Sequence, residues 1–250
     1  MKVEQQRAYV LHTRPFSESS LLVDMFSREH GWLMLLAKGA RRAKSRTRGL
    51  LLPFRPLLAS WAGKGKLPVL TGLEADGPPA GEVGGDLLAS GFYLNELLMR
   101  LLHRHDAHEL VFEHYDRALR QLANAEPPRA VLRVFEKKIL LHTGFGAALE
   151  RDADSGERIA PELHYHYVFE KGPVRARDQI AEPSAQNGGA PGIPISGRAL
   201  CALREEIFSA EDELRDAQRL TRALLDRQLR GRELRSRRVA RDMRRFARGD

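Results

Sequence analysis

Cysteine is almost absent: the 250-residue chain has one, Cys201. A disulfide within the chain and a multi-cysteine zinc cage are both excluded. Long apolar runs are missing as well. The longest unbroken one is Trp32 to Ala37, far short of the roughly 20 residues of a membrane helix. The first residues, MKVEQQRAYVLH, offer no apolar core for a secretory signal. A cytoplasmic location without membrane contact is therefore expected. Enzymatic motifs are equally thin. Around Gly63-Lys64-Gly65-Lys66 a phosphate-binding loop fails, because Leu58 stands where its first glycine belongs and Gly65 where its Ser/Thr belongs. His103, His105, His108 and Glu109 lack the HExxH spacing and read as a polar turn between helices. Cys201, in an apolar helical pattern, reads as a small buried hydrophobe. Nothing demands an enzyme, and no catalytic residue, metal or cofactor is assigned.

What the chain does have is core material and unevenly placed charge. Hydrophobic residues make up 42% and charged residues 30%, which excludes wholesale disorder. The formal net charge is +8. From Lys38 to Arg48, the six cations Lys38, Arg41, Arg42, Lys44, Arg46 and Arg48 occur with no acid, a local +6. From Arg227 to Arg248, ten arginines, among them Arg235, Arg238 and Arg241, face only Glu233 and Asp242, a local +8. The rest of the chain is therefore acidic, at −6. A basic balance suits nucleic acid or an anionic membrane surface, and charge concentrated in two tracts favours nucleic acid, since like charges this dense repel unless a polyanion relieves them.

Five short segments before residue 77 read as strands: Gln6–His12, Leu21–Arg28, Trp32–Lys38, Leu50–Trp61 and Lys66–Leu73. Pro53 and Pro56 push the fourth to bulge or lie at an edge. Five strands in so short a stretch fit a small oligonucleotide-binding (OB) barrel. EADGPPAGEVGG, Glu74 to Gly85, marks a linker. Beyond it the period is helical. Helices are predicted from Asp86 to His103, from Ala107 to Ala123, from Pro127-Pro128 to about Gly144, from Ser196, from Ser209 to Arg230 and from Glu233 to Ala247. One strand, Leu163–Glu170, interrupts an irregular stretch, with His164 and His166 on its solvated face and a loop over Pro183–Pro194. The fold class is thus α+β. An OB domain spans 1–77 and a linker 78–85; a mainly helical domain spans 86–250 and contains an irregular, zinc-less insert at 150–194.

Binding single-stranded nucleic acid needs cations along the phosphates and aromatic faces for the bases. The first tract supplies the cations, and Phe16, Trp32, Phe54 and Trp61 are the aromatic candidates. Trp32 reads as core; Trp61, beside the AGKGK turn, reads equally as core or as a stacking face and is taken as a DNA-binding candidate.

GWLMLLAKGARR from Gly31 to Arg42 resembles the N-terminal signature of the bacterial recombination mediator family RecO. YLNELL (Tyr93 to Leu98) resembles it too, with Asp106, His108, Glu109 and Phe112 following at similar spacing. So do Phe135 and Glu136 with Gly144, and the late Leu234, Arg235, Ser236 and Arg237. The similarity covers nearly the whole chain. It implies a DNA-binding, non-enzymatic role in recombinational repair. Its parts are binding single- and double-stranded DNA, annealing complementary strands, and helping load RecA with RecR on strands coated by single-strand-binding protein. A nucleoid association follows. The four-cysteine zinc module of some members is missing from Arg151 to Pro161, so zinc is not carried over. The resemblance also implies a pocket for the acidic, phenylalanine-ended C-terminal tail of single-strand-binding protein. Arg133, Lys137 and Lys138 are its candidate cations, and Leu200, Leu203 and Phe208 its candidate apolar lining. Two other functions stay open: an adaptor receiving acidic peptides without a direct DNA role, and a metal-dependent nuclease at His103–Glu109.

Overall fold

The computed structural model describes residues 2–63, 65, 67–77, 85–176 and 192–239. The strands β1 (Lys2–Pro15), β2 (Leu21–Ser27), β3 (Gly31–Ala37), β4 (Leu57–Ala62) and β5 (Val69–Ala75) close into a barrel of order β1-β2-β3-β5-β4. Each pairing is antiparallel except β3 with β5. This is the predicted OB-type barrel. Along β3, Gly31, Leu33, Leu35 and Ala37 point inward and are buried, while Trp32, Met34 and Leu36 point outward and are half-buried. The apolar run is continuous because both faces are at least partly covered. The fourth strand is shorter than predicted: Pro53 and Pro56 keep residues 51–56 irregular, and Phe54 takes a left-handed backbone at φ 64°.

Two helices follow, α1 (Gly85–Leu101) and α2 (Glu109–Ala123). The predicted linker 78–85 lies outside the described residues but for Gly85, which opens α1. Compact packing groups the barrel, α1 and α2 into one unit, to Pro128, joined again by the chain from Glu233; Arg129–Arg232 form a second. Tyr9 and Phe26, paired across β1 and β2, leave the barrel and are buried against Phe112 and Tyr115 of α2, with ring centroids 5.2–6.2 Å apart. Polar groups fix the register of this apolar contact. The Tyr115 hydroxyl donates to Asn95 at 2.5 Å, Asn95 donates to the Leu11 carbonyl at 2.9 Å, and the Tyr9 hydroxyl donates to Asp116. Burial pushes both phenols above their ordinary pKa, so they stay neutral donors.

Gly31 is where the helices meet the β2–β3 turn. Its φ is 64°, and a Cβ there would sit 1.8 Å from the Asp106 carbonyl oxygen. The adjoining His105 N–H donates to the Trp32 carbonyl at 2.9 Å. The histidine-rich segment 103–108 is thus a docking turn. Among the described residues, no group of three His, Cys, Asp or Glu side chains could hold a metal.

The second unit holds α3 (Pro128–His142), β6 (His164–Val168), β7 (Gly172–Arg175), β8 (Ile193–Ser196), α4 (Gly197–Glu205) and α5 (Glu211–Gln228). The three strands form an antiparallel sheet of order β7-β6-β8. Both edge strands were missed by sequence reading. Each has four residues and carries a proline, Pro173 or Pro194, which an edge tolerates. Pro194 therefore lies in a strand, not in the predicted loop; residues 183–191 of that loop lie outside the described residues. On β6, Tyr165 and Tyr167 are buried and His164 and His166 exposed. Ser196 caps α4, its hydroxyl accepting from the Ala199 N–H at 3.3 Å. At α5 the predicted start at Ser209 is capped by a later side chain. Glu213 reaches back to accept from the Ser209 and Ala210 N–H groups at 2.8 and 3.2 Å.

The turn at 152–155, within the stretch that lacks the zinc module's cysteines, is closed by one carboxylate. Asp152 accepts from the N–H groups of Asp154, Ser155 and Arg175 at 2.8, 3.3 and 3.2 Å. Burial works against its charge, but these bonds outweigh burial and hold its pKa below the ordinary value. A depressed carboxylate stabilises the fold above its unfolded pKa, and that stabilisation is lost as pH falls through the folded value. Asp152→Ala should therefore destabilise the chain near neutral pH, and the deficit should shrink below about pH 3.9, the unperturbed aspartate value. Urea titrations across that range test this; an unchanged deficit would mean that ionisation plays no part.

Candidate nucleic-acid interface

The tract Lys38–Arg48 leaves the barrel at the end of β3. Lys38, Arg41, Arg42, Lys44, Arg46 and Arg48 are all exposed, and among the described residues none forms a salt bridge. The loop is nonetheless tied down. Ala40 and Leu51 are buried in the barrel core on either side of it. Turns within it close through Arg42 N–H to the Gly39 carbonyl, Ser45 N–H to the Arg42 carbonyl and Leu50 N–H to the Thr47 carbonyl, at 3.0–3.1 Å. Arg41 fastens it to the β1–β2 loop: its N–H donates to the Ser19 carbonyl at 2.9 Å and its guanidinium to the Ser17 carbonyl at 2.6 Å. Cations held on an ordered loop lose less entropy on binding than cations on a free tail.

That β1–β2 loop begins with Phe16, which is 56% exposed. An exposed aromatic next to cations that no carboxylate pairs among the described residues is what single-stranded nucleic acid requires. The other aromatics are arranged differently. Trp61 is 1% exposed inside the barrel, its ring edge-on to His30 at 5.2 Å, so its reading as a stacking face is corrected: alternation along β4 turns it inward. Phe54 is buried too, 5.1 Å from Phe92 on α1. Trp32 lies on the outer face, not in the core. Its indole N–H donates to Asp24 at 3.2 Å, and the Arg104 guanidinium stacks 4.6 Å above the ring while also pairing with Asp24. Sequence reading missed Arg104 because it stands 72 residues from Trp32 in a turn. Farther along the same face stand exposed Arg14 and half-buried Leu22 and Leu36, with Arg14 reaching the Met34 sulfur at 3.0 Å.

Of the second tract, Arg235 and Arg238 are exposed and Arg241 lies outside the described residues. Glu96 of α1 accepts from the Arg235 N–H at 2.9 Å, the Ser236 N–H at 2.8 Å and the Ser236 hydroxyl at 2.7 Å. Leu234 is buried, and the Arg237 guanidinium lies over the Tyr93 ring at 5.6 Å. Burial raises the Glu96 pKa, but the bonds from Ser236 and Arg235 and the charge of Arg100 bring it below its ordinary value.

The predicted tail pocket in the second unit is occupied by the fold itself. Leu200 and Leu203 are 0% exposed; they are core, which corrects their reading as the lining of an open hole. Arg133, 6% exposed, pairs with buried Glu136 at 2.6 Å, and Glu136 in turn accepts from Thr221 at 2.5 Å. Lys137 donates to the Leu203 and Arg204 carbonyls at the end of α4 and pairs with Glu206 at 2.6 Å. Lys138 pairs with the same Glu206 oxygen at 2.6 Å. Glu206, at φ 65°, is the left-handed cap of α4; despite burial its two lysines hold its pKa below the ordinary value. Phe208 is half-buried, and Leu141, Phe145 and Ile207 are the large apolar side chains this unit exposes among the described residues.

Residues 1–77 match the family described as recombination protein O N terminal, and residues 85–238 match recombination protein O C terminal. The chain belongs to the RecO family. Proteins named DNA repair protein RecO align with it over nearly the full length. That of Azoarcus sp. (strain BH72) is 41% identical over 244 residues, 97% of each chain. That of Dechloromonas aromatica (strain RCB) is 42% identical over 249 residues, again 97% of each. That of Alkalilimnicola ehrlichii is 44% identical over 248 residues, 99% of this chain and 94% of the relative.

The RecO resemblance in the sequence acquires a physical content here. Gly31 meets Asp106, Asn95 meets Leu11, and Tyr93 and Glu96 meet Arg237, Arg235 and Ser236. Gly31, YLNELL and the late Leu-Arg-Ser-Arg thus make contacts that join the barrel, α1 and the late arginines. Phe16 differs: its backbone N–H closes the β1–β2 loop onto the Ser20 carbonyl at 3.1 Å, while its side chain is exposed. Phe16→Ala should leave the urea midpoint unchanged and weaken single-stranded DNA binding by about 1 kcal/mol, the lower end for one stacked base. Fluorescence anisotropy with a labelled oligonucleotide measures it, and unchanged affinity would remove Phe16 from the interface.

Proposed function

We propose that this chain is a DNA-binding recombination mediator. It binds single- and double-stranded DNA through the barrel loops, anneals complementary strands, and helps load RecA with RecR on strands coated by single-strand-binding protein, in the cytoplasm at the nucleoid. The observation that carries this is the ordered, exposed +6 loop at Lys38–Arg48, with no acidic partner among the described residues and Phe16 beside it. RecO-family membership supports the DNA repair context. The role needs no catalytic group: annealing requires that phosphate repulsion between two strands be screened, and cations on more than one surface do that. Arg235 and Arg238 provide the second surface, and Arg241 extends it in sequence.

Replacing Arg41, Arg42 and Lys44 together by alanine removes up to three phosphate contacts. The slope of log affinity against log salt should fall by about 2 for single strands, at roughly 0.7 per phosphate, and annealing should slow. An unchanged slope would move the DNA site off this loop.

The tail of single-strand-binding protein would find Lys137 and Lys138 already neutralised by Glu206. An incoming carboxylate takes the place of Glu206, and half-buried Phe208 with exposed Ile207 supplies an apolar neighbour. Glu206→Ala should therefore tighten binding of a labelled acidic, phenylalanine-ended peptide several-fold. Affinity that does not change would locate the receiving site elsewhere in the chain.

A further inference from the structure

We infer that Glu96 is a positioning residue for DNA binding: an acid that strengthens the protein's hold on a polyanion. The inference rests on the proposed role of the C-terminal arginines. Its geometric basis is the meeting of α1 with residues 234–237. The Glu96 carboxylate takes the N–H groups of Arg235 and Ser236 and the Ser236 hydroxyl, all within 2.9 Å. These N–H groups open the helical stretch 235–239, and the first turn of a helix leaves its N–H groups without internal partners. A carboxylate there satisfies them and opposes the positive end of the helix dipole. Leu234, 1% exposed, buries the chain just before that turn, and Arg237 lies along Tyr93, one turn of α1 away from Glu96.

Three contacts within four residues therefore fix the arginine tract at 234–237 to the unit that carries the barrel. Arg235 and Arg238, three apart on this stretch, are exposed and lie on one helical face. Without Glu96 the N–H groups of the first turn lose their acceptor, and like-charge repulsion among Arg235, Arg237 and Arg238 favours a frayed chain. Frayed arginines still attract phosphates, but each must be ordered on binding.

The prediction runs opposite to simple electrostatics. Removing a negative charge from a DNA-binding protein ordinarily tightens binding. Here Glu96→Ala should weaken it, by about 3- to 10-fold at 100 mM salt, with the log–log slope lower by about one phosphate contact. Amides of residues 235–239 should exchange faster in hydrogen exchange, while those of the barrel stay protected. Glu96→Gln keeps an acceptor and should fall between the two.

Arg235→Ala/Arg238→Ala, alone and combined with Glu96→Ala, separates the possible failures. The inference requires that Glu96→Ala add little once the arginines are gone. If the arginine variant binds DNA normally, the proposed role of the tract is wrong. If that variant binds weakly while Glu96→Ala binds as well as or better than the unaltered chain, the tract acts without its anchor and the inference is overturned. Should Glu96→Ala fail to fold, Ser236→Ala, which removes only the hydroxyl bond, carries the same test. Weakened DNA binding there supports the inference, and unchanged binding with faster exchange overturns it.

Discussion

The packing of Phe112 and Tyr115 on Tyr9 and Phe26 fixes which part of the barrel α2 covers. Tyr9 and Phe26 sit across from each other on β1 and β2, and α2 covers them. Pro15 and Leu21 mark the other end of those two strands, beside Ala37 of β3, six residues from Tyr9 on β1. At about 3.4 Å per residue that end lies roughly 20 Å away. The loops beginning at Phe16 and Lys38 emerge there, beyond the reach of the aromatic cluster. Burial of the four rings, with Asn95 and Asp116 accepting from the two tyrosine hydroxyls, stabilises the packing of α2 on β1 and β2. Cations as dense as those of Lys38–Arg48 could not stand over a buried face without partners. They stand instead at the open end, on a loop pinned by Ala40, Leu51 and Arg41.

Much of this was legible in the sequence, and the reasons are local. β2 and β3 were placed within a residue or so because apolar side chains of the barrel wall bracket a tight turn at Glu29-His30-Gly31. α2 and α3 were legible because Val111, Tyr115, Leu119 and Leu122, and Val131, Val134, Phe135 and Ile139, repeat at helical spacing, and all but half-buried Val134 are buried. The basic loop was legible as a run of charge. β7 and β8 were not, since four residues including a proline carry no periodic signal. Trp61 was misread because its neighbours in sequence are a glycine–lysine turn, whereas its inward direction is set by the alternation of β4.

Side-chain roles that depend on a distant partner were the least legible. Lys137 looks like the solvated side of an amphipathic helix, yet it caps α4 from 66 residues away. Arg133 looks like a surface cation, yet it forms a buried pair with Glu136. Arg104 is one residue in a polar turn until Trp32 and Asp24 are seen beneath it. The family motifs belong to the same class: YLNELL and the late Leu-Arg-Ser-Arg are short and ordinary alone. They become specific when Glu96 is found at the start of the arginine helix and Tyr93 under Arg237.

The central claim is that DNA lies on the loop-bearing end of the barrel, away from α2. Hydrogen exchange of the full chain with and without a single-stranded oligonucleotide tests it most directly. The account predicts new protection at residues 16–20 and 38–48, with the amides of α2 unaffected. Protection confined to Arg129–Arg232, or to α2, with the 38–48 amides exchanging as in the free protein, would contradict it.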